Sequence, residues 1–354
     1  ILIEGDAGTG KTVVATTLFY YLKTHPKYKS LKIGLVYSNP AMRNVIQQVF
    51  AHTPGLRKTD VIAPIDVTKH HYDIIICDEA QRLRQAKNIG RYIVHFKKGN
   101  ERLHLDNSHD ELDWLLLNAG RLILFYDPKQ IVCPSDISQT KFDGRLKDRK
   151  RGIRPVELKE QMRIHAGSQY VPYIYDILFQ RNNISKKFVN YDFKLFSSFQ
   201  DMWNALEEKE AAVKLCRFCS GYGWPWVSKE DSKKPDIQLE GREIWWNRQT
   251  DGWLQNPEAK LEMGSIYSLA GLDINYAAVI IGPDLIYDIK DQKIKVNRQN
   301  YFDNKVKQGV TDEELTAFLL KTYAVLMTRG ILGTYVYTCD QNLFRYLQRF
   351  IPTA

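Results

Sequence analysis

Ile1-Leu2-Ile3-Glu4-Gly5-Asp6-Ala7-Gly8-Thr9-Gly10-Lys11-Thr12 opens the chain, and its reading decides the fold. An apolar run gives way to a Gly-rich turn and then, from Lys11 to about Lys23, to a helical pattern, so the unit reads as strand, loop and helix. The turn fits G-x-x-x-x-G-K-[ST] in the context that motif requires. Glycines let backbone N–H groups curl around phosphate oxygens, and the helix N-terminus adds the positive end of its dipole. On this reading Gly5, Gly8, Thr9 and Gly10 cradle the phosphates, Lys11 reaches the β- and γ-phosphates of a nucleotide, and Thr12 ligates Mg²⁺.

Outward from that loop, Ile/Leu/Val-rich runs at Lys32 to Tyr37, Tyr72 to Cys77 and Arg121 to Tyr126 are each followed by polar residues. Continuous apolar strands separated by helices describe a parallel sheet covered on both faces. The second of these runs ends in Asp78-Glu79-Ala80-Gln81, two adjacent carboxylates with different work to do. Asp78 is expected to hold Mg²⁺ through water and Glu79 to polarise the attacking water as general base. In the second half, a helix is expected from Gly167 to Phe179 and another from Asp312 to Met327. Strands are expected near Phe193 to Phe196, Val213 to Phe218, Gly264 to Ser268, Ala277 to Ile281 and Thr334 to Tyr337.

With 354 residues, at roughly 150 per domain, the chain has room for two domains. The basic, poorly apolar stretch around Lys147-Asp148-Arg149-Lys150-Arg151-Gly152 sets the expected boundary, giving domains of residues 1–150 and 151–354. Apolar residues at 44% and charged residues at 26% are ordinary for a folded globular chain and too apolar for a disordered one. The longest uninterrupted apolar stretch, Tyr276 to Ile281, is far short of the roughly 18 residues of a membrane-spanning helix, so no membrane partner is expected. Five Cys in so long a chain point to a reducing, cytoplasmic compartment rather than a disulfide framework. The net charge of +9 favours a polyanionic partner. The opening residues show neither Met nor a signal peptide and read as the inside of a core strand, which leaves room for a fused upstream domain.

Taken together, the phosphate loop and the Asp78-Glu79 pair resemble a superfamily 1 helicase-type P-loop ATPase. More narrowly, the chain resembles a bacterial helicase-like family of unassigned function related to the helicase region of Schlafen proteins, over essentially its whole length. The resemblance implies an α/β fold of two RecA-like domains, each a mainly parallel sheet flanked by helices, using ATP and Mg²⁺. Tyr126-Asp127-Pro128-Lys129-Gln130 is similar to motif III, which makes Gln130 the γ-phosphate sensor. Leu158-Lys159-Glu160-Gln161-Met162-Arg163 is similar to motif IV, with Met162 in the usual aromatic place, and implies that Arg163 reaches across the cleft to the γ-phosphate. Leu326-Met327-Thr328-Arg329-Gly330 is similar to motif VI and gives Arg329 as a second arginine finger. Ile266 to Asp273 is similar to motif V, where Gly271 and Asp273 bind the nucleotide, Asp273 at the ribose. This chain has Ala270 where the family usually has Gln, and Asp273 where it usually has Glu.

Nucleic-acid contacts are expected at Ser38 and Asn39, in the turn similar to motif Ia, with single-stranded DNA or RNA as the partner. The basic run Lys147 to Arg154 reads equally as a backbone contact or a solvated linker. Five of the seven Trp fall between Gly221 and Lys260, a stretch that reads as an irregular or hairpin insertion. It holds Gly221-Tyr222-Gly223-Trp224-Pro225-Trp226 and Trp245-Trp246. That Gly-Tyr-Gly-Trp-Pro-Trp stretch and Gly282-Pro283-Asp284-Leu285 also resemble the narrower family. Base stacking is open to these tryptophans, and local packing is the favoured reading. Cys216 and Cys219 have zinc-like spacing but sit in a strand-like run with no second pair nearby, which favours a buried strand. The stretches from Asn39 to Asp78 and from Arg163 to Ile266 leave no room for the large inserted domains of processive unwinding enzymes. The expected function is therefore a compact, ATP-hydrolysing, nucleic-acid-dependent motor. The alternative is a nucleotide-gated switch controlling a fused or partner effector.

Overall fold

A computed structural model of the chain describes residues 1–147, 154–248, 253–269 and 271–354. The chain divides into two compact units, residues 1–160 and 161–354. The boundary expected at 150/151, most of the basic run before it, and Ala270 lie outside the described residues.

Unit one is built on six strands, β1 (Leu2–Gly5), β2 (Ile33–Tyr37), β3 (Val61–Ile62), β4 (Tyr72–Asp78), β5 (Ala119–Tyr126) and β6 (Pro155–Leu158). They lie in the order β3-β2-β4-β5-β1-β6, and every pairing is parallel. Helix α1 (Lys11–Thr24) follows β1 and α2 (Pro40–Ala51) follows β2. Tyr72, Ile75 and Cys77 of β4 and Ala119, Leu124 and Tyr126 of β5 pack with Trp114, Phe96 and Phe142 into one buried core. With all strands parallel, the carboxyl ends of β4, β5 and β1 stand side by side. The turns after them share one edge of the sheet, where open α/β sheets bind ligands.

Strand β6 is not foreseen in the sequence. Pro155, Val156 and Glu157 are exposed at the sheet edge, so they carry none of the core-facing pattern that betrays a strand.

Unit two has β7 (Asp192–Leu195), β8 (Cys216–Ser220), β9 (Ile237–Leu239), β10 (Arg242–Trp246), β11 (Glu262–Gly264), β12 (Ile274–Ile281), β13 (Leu285–Asp288), β14 (Lys293–Val296) and β15 (Gly330–Thr338). A mixed sheet runs β7-β15-β12-β8-β11-β10-β9, and β13 pairs with β14 alone. Among the described residues, only the β9–β10 pairing in the large sheet is antiparallel. The two expected helices form as Tyr170–Leu178 and Asp312–Met327, the second with Thr311 capping it through the Glu314 N–H.

Two expected strands form with shifted bounds, as β8 and β11. Val213 ends the helix Phe199–Val213 rather than starting a strand, because Lys214 and Leu215 both turn through positive φ (61° and 51°) before β8 begins. Ser265 to Ser268 is a turn, not a strand. The Ser265 N–H donates to Ser268 Oγ (2.8 Å) and that hydroxyl donates back to the Ser265 carbonyl (2.9 Å), local bonds that displace a sheet ladder.

In the tryptophan-rich stretch, β9 and β10 form a hairpin, and Trp246 and Trp253 are buried. Trp226 stays partly exposed, with the Lys229 ammonium 5.6 Å above its ring. All five residues of β8 are buried, Cys216 and Cys219 among them, as free thiols that burial pushes up to about 12 and above the usual range respectively.

Candidate active site

The turn after β1 is shaped by Gly8 and Gly10, both at left-handed backbone angles (φ 84° and 81°) that favour glycine, and a Cβ on Gly10 would face open space. Thr9 closes the turn by donating to the Asp6 carbonyl (2.9 Å). Lys11 is buried, and its ammonium donates to the carbonyls of Gly5 (2.7 Å) and Asp6 (2.8 Å) inside the loop, with the Asp127 carboxylate 3.7 Å away. The ammonium is therefore held within the loop by two carbonyls, with a buried carboxylate beside it.

Thr12 Oγ1 donates to Asp78 Oδ2 at 2.7 Å, which joins the first turn of α1 to the end of β4. Asp78 is fully buried. Burial, and after it the Glu79 charge, push its carboxyl up to about 6. A divalent cation beside it would hold it ionised. A hydroxyl and a carboxylate are hard oxygen donors, the kind Mg²⁺ takes in small number while keeping several waters, so this pair suits that ion. Tyr37, at the end of β2, lies buried beside it. Burial first and the Asp78 charge second hold its phenol well above the usual range.

Glu79 takes a left-handed backbone angle (φ 52°), rare for a non-glycine, at the turn after β4. Its N–H donates to Asp78 Oδ1 (3.0 Å), and Gln81 Nε2 donates to Glu79 Oε2. Gln81 is buried and its Oε1 accepts the Asp127 N–H (3.1 Å), so it ties the β4 turn to the β5 turn. Gln130 donates to Asp127 Oδ2 (2.7 Å). Asp127 is buried, which raises its carboxyl pKa, while Lys11 and the Gln130 bond work the other way. Lys129 clamps both carboxylate oxygens of Asp6 (2.7 and 2.8 Å), bridging the β5 turn to the phosphate loop.

Lys11, Thr12, Asp78, Glu79 and Gln130, expected from separate motifs, thus share one hydrogen-bonded assembly with Gly5 and Thr9. Gln81, Asp127 and the Asp6–Lys129 pair complete it without having been assigned roles from sequence. Gln81 and Asp127 stood inside the quoted motifs, and polar residues flanking a carboxylate pair were the signal available.

Ser38 and Asn39 follow β2. Ser38 is buried, and its hydroxyl makes no hydrogen bond among the described residues. Asn39 caps α2, its Oδ1 accepting the Ala41 N–H (2.9 Å).

In unit two, Arg163 donates to Asp273 Oδ1 (2.8 Å) and to the Thr328 carbonyl (2.8 Å). Arg163 is thereby held by the Asp273 carboxylate and the Thr328 backbone. Asp273, expected at a ribose, is here the anchor of Arg163. Gly271 takes a left-handed angle (φ 76°) just before it. Arg329 is buried at the start of β15, and its charge is felt by the buried Cys219 thiol.

A family model described as Schlafen group 3, DNA/RNA helicase domain, matches residues 1–340. The chain is 27% identical to the uncharacterized protein YPL245W of Saccharomyces cerevisiae, over 98% of this chain and 83% of that one. Among solved structures, it is similar to an arterivirus nonstructural protein 10 helicase at 13% identity and TM-score 0.42. That match covers 99% of this chain and 61% of the viral one. It is also similar to a Pif1 helicase from a structural account of DNA unwinding at forked dsDNA by two coordinating Pif1 helicases, at 13% identity and TM-score 0.32, over 99% of this chain and 90% of that one.

Proposed function

The chain belongs to the Schlafen group 3 DNA/RNA helicase domain family, and from that premise we propose that it hydrolyses ATP with Mg²⁺ and couples the hydrolysis to single-stranded DNA or RNA as a compact motor. The observation that carries the reading is the Thr12–Asp78 hydrogen bond of 2.7 Å beneath a loop in which Lys11 is already poised. In this proposal the N–H groups of the Gly5 to Gly10 loop bind the phosphates, and Lys11 trades its two carbonyl acceptors for phosphate oxygens. Thr12 would ligate Mg²⁺ and Asp78 would hold it through water, and the ion would supply neutralisation of phosphate charge. Glu79, fixed by Gln81, orients the attacking water and takes its proton. Gln130 senses the γ-phosphate. Arg163 and Arg329 stabilise the charge that develops on it, and Gly271 and Asp273 flank the nucleotide. Ser38 and Asn39 meet the nucleic-acid phosphates.

The test separates binding from turnover. Lys11→Ala removes a phosphate cation and is expected to weaken nucleotide affinity and abolish hydrolysis. Glu79→Gln removes only a base and is expected to keep affinity while losing turnover. Calorimetry with Mg²⁺ present, beside a phosphate-release assay, reads both. Equal loss of affinity in the two variants would refute the assignments. Hydrolysis that no single-stranded DNA or RNA accelerates would leave the nucleotide-gated switch as the better reading.

A further inference from the structure

Between Ala7 and Thr59 the chain has eight Lys and Arg and not one Asp or Glu, so almost all of the +9 excess sits in this stretch. Lys11 belongs to the phosphate loop, and Arg43 donates to the Tyr37 carbonyl (3.1 Å). The other six, Lys23, Lys27, Lys29, Lys32, Arg57 and Lys58, lie at the far end of α1 and in the segments beside it. At 1.5 Å per residue that end is about 18 Å from Lys11. There Lys23, Thr24, Tyr28, Lys29, Arg57 and Asp60 line a cleft of about 490 Å³.

The carboxylates of this region are accounted for. Asp60 pairs with Lys23 (3.0 Å) and accepts the Arg57 N–H, and Asp73 accepts the Lys32 N–H. Lys27, Lys29, Arg57 and Lys58 are exposed and have no carboxylate partner among the described residues. Beside them Tyr21, His25 and Tyr28 form a three-ring cluster, with centroids 5.0 to 6.2 Å apart, and half of Tyr21 is exposed. Cations without a carboxylate partner for phosphates, beside rings of which Tyr21 is exposed and Tyr28, with the Lys27 ammonium 5.6 Å over it, partly so, are the chemistry of a single-stranded nucleic-acid platform. A duplex would leave the rings unused, since its base faces are stacked.

We propose that this cleft is a second binding site for single-stranded nucleic acid, remote from the phosphate loop and independent of ATP turnover. Lys29 and Arg57 grip successive phosphates, and Tyr21 and Tyr28 offer stacking surfaces. The site goes beyond the motor reading, which places its nucleic acid at Ser38 and Asn39.

The test uses the full chain and a short fluorescent single-stranded oligonucleotide, followed by anisotropy over a salt series. Lys29→Glu combined with Arg57→Glu is expected to weaken binding about tenfold or more at low salt. It is also expected to flatten the log–log salt slope by roughly 1.4, two phosphate contacts at ~0.7 each. Lys29→Arg with Arg57→Lys should restore both, and basal ATP hydrolysis should be unchanged in either pair. If charge reversal lowers the melting temperature, Lys29→Gln with Arg57→Gln reads the same slope.

Tyr21→Ala should weaken oligonucleotide binding about fivefold while leaving inorganic polyphosphate binding untouched. An unchanged slope, or a wild-type chain that binds no oligonucleotide at low salt, overturns the proposal, whereas the motor reading stands or falls on hydrolysis. Equal behaviour of polyphosphate and oligonucleotide in the Tyr21 variant would make the cleft a general polyanion site and also overturn it.

Discussion

Glu79 shows how much a single side chain depends on neighbours that have no chemistry of their own. Its left-handed backbone angle and the grip of Gln81 fix where its carboxylate points. Under the proposed role of Glu79 as base, Gln81→Ala is therefore expected to lower the ATP turnover rate about tenfold or more with a smaller change in KM, since the grip on the base and the tie to the Asp127 N–H are both lost. A rise in KM at constant kcat would instead make Gln81 a binding residue. Asp284 is a fully buried acid in the turn after β12. Tyr323 donates to its Oδ1 (2.7 Å), Oδ2 has no hydrogen bond among the described residues, and burial pushes the carboxyl up to about 7. The folded state thus keeps a proton that the unfolded state has released above about pH 4. Stability from this residue falls as pH rises from about 4 to about 7, by roughly 1.4 kcal/mol per unit, and is flat above. Asp284→Asn, which keeps the acceptor and cannot ionise, should gain stability relative to wild type across that window. Urea midpoints at pH 5 and pH 8 check it, and a variant-to-wild-type difference that did not grow with pH would contradict the assignment.

The same carboxylate explains an element-level pattern. Gly221, Gly223 and Gly282 crowd Asp284 and Tyr323 where the end of β8 meets the end of β12. A Cβ on Gly221 would stand 2.6 Å from the Tyr323 hydroxyl and 2.9 Å from Asp284 Oδ2. Gly221→Ala is expected to cost roughly 1–3 kcal/mol by overpacking, read as a lowered urea midpoint at constant m-value. A neutral result would mean that the Tyr323 ring gives way. Elements with a strong inward pattern were legible in the sequence. The Ile74-Ile75-Ile76 run expected as a strand forms one, and the helix expected from Asp312 to Met327 forms with those bounds. Less was legible where exposure or a local backbone turn decided the outcome. Nothing in Val213-Lys214-Leu215 signals two successive positive φ angles, and the exposed residues of β6 carry no alternation. Lys11 and Thr12 of the loop motif and Asp78 and Glu79 of the strand-end pair, quoted from the sequence, come together in the fold. Motif order could not show that Asp273 anchors Arg163, because that pair is 110 residues apart and is created only by the fold.

At the scale of the whole molecule, the position of β6 decides where the first unit ends. Strand β1 carries the phosphate loop and lies between β5 and β6, with Leu2, Ile3, Glu4 and Gly5 in register with Pro155, Val156, Glu157 and Leu158. A fragment ending at Lys147 would leave β1 as a bare edge, its unpaired N–H and C=O groups open to other chains. Leu158 would be missing as well, and its Cβ lies 3.1 Å from where a Cβ on Gly5 would stand, so it packs directly under the loop. The fragment 1–160 is therefore expected to unfold in one cooperative transition and to bind an ATP analogue with Mg²⁺. The fragment 1–147 should aggregate, or melt at least about 5 °C lower. Neither contains Arg163 or Arg329, so under the proposed roles the longer fragment should bind nucleotide yet turn over ATP at least about 10² times more slowly than the full chain. Light scattering, thermal melts and phosphate release on the two fragments measure all three. If residues 1–160 hydrolysed ATP as fast as the full chain, Arg163 and Arg329 would have no part in the chemistry. If residues 1–147 matched residues 1–160 in melting and solubility, β6 would be an ornament on the sheet rather than its closing strand.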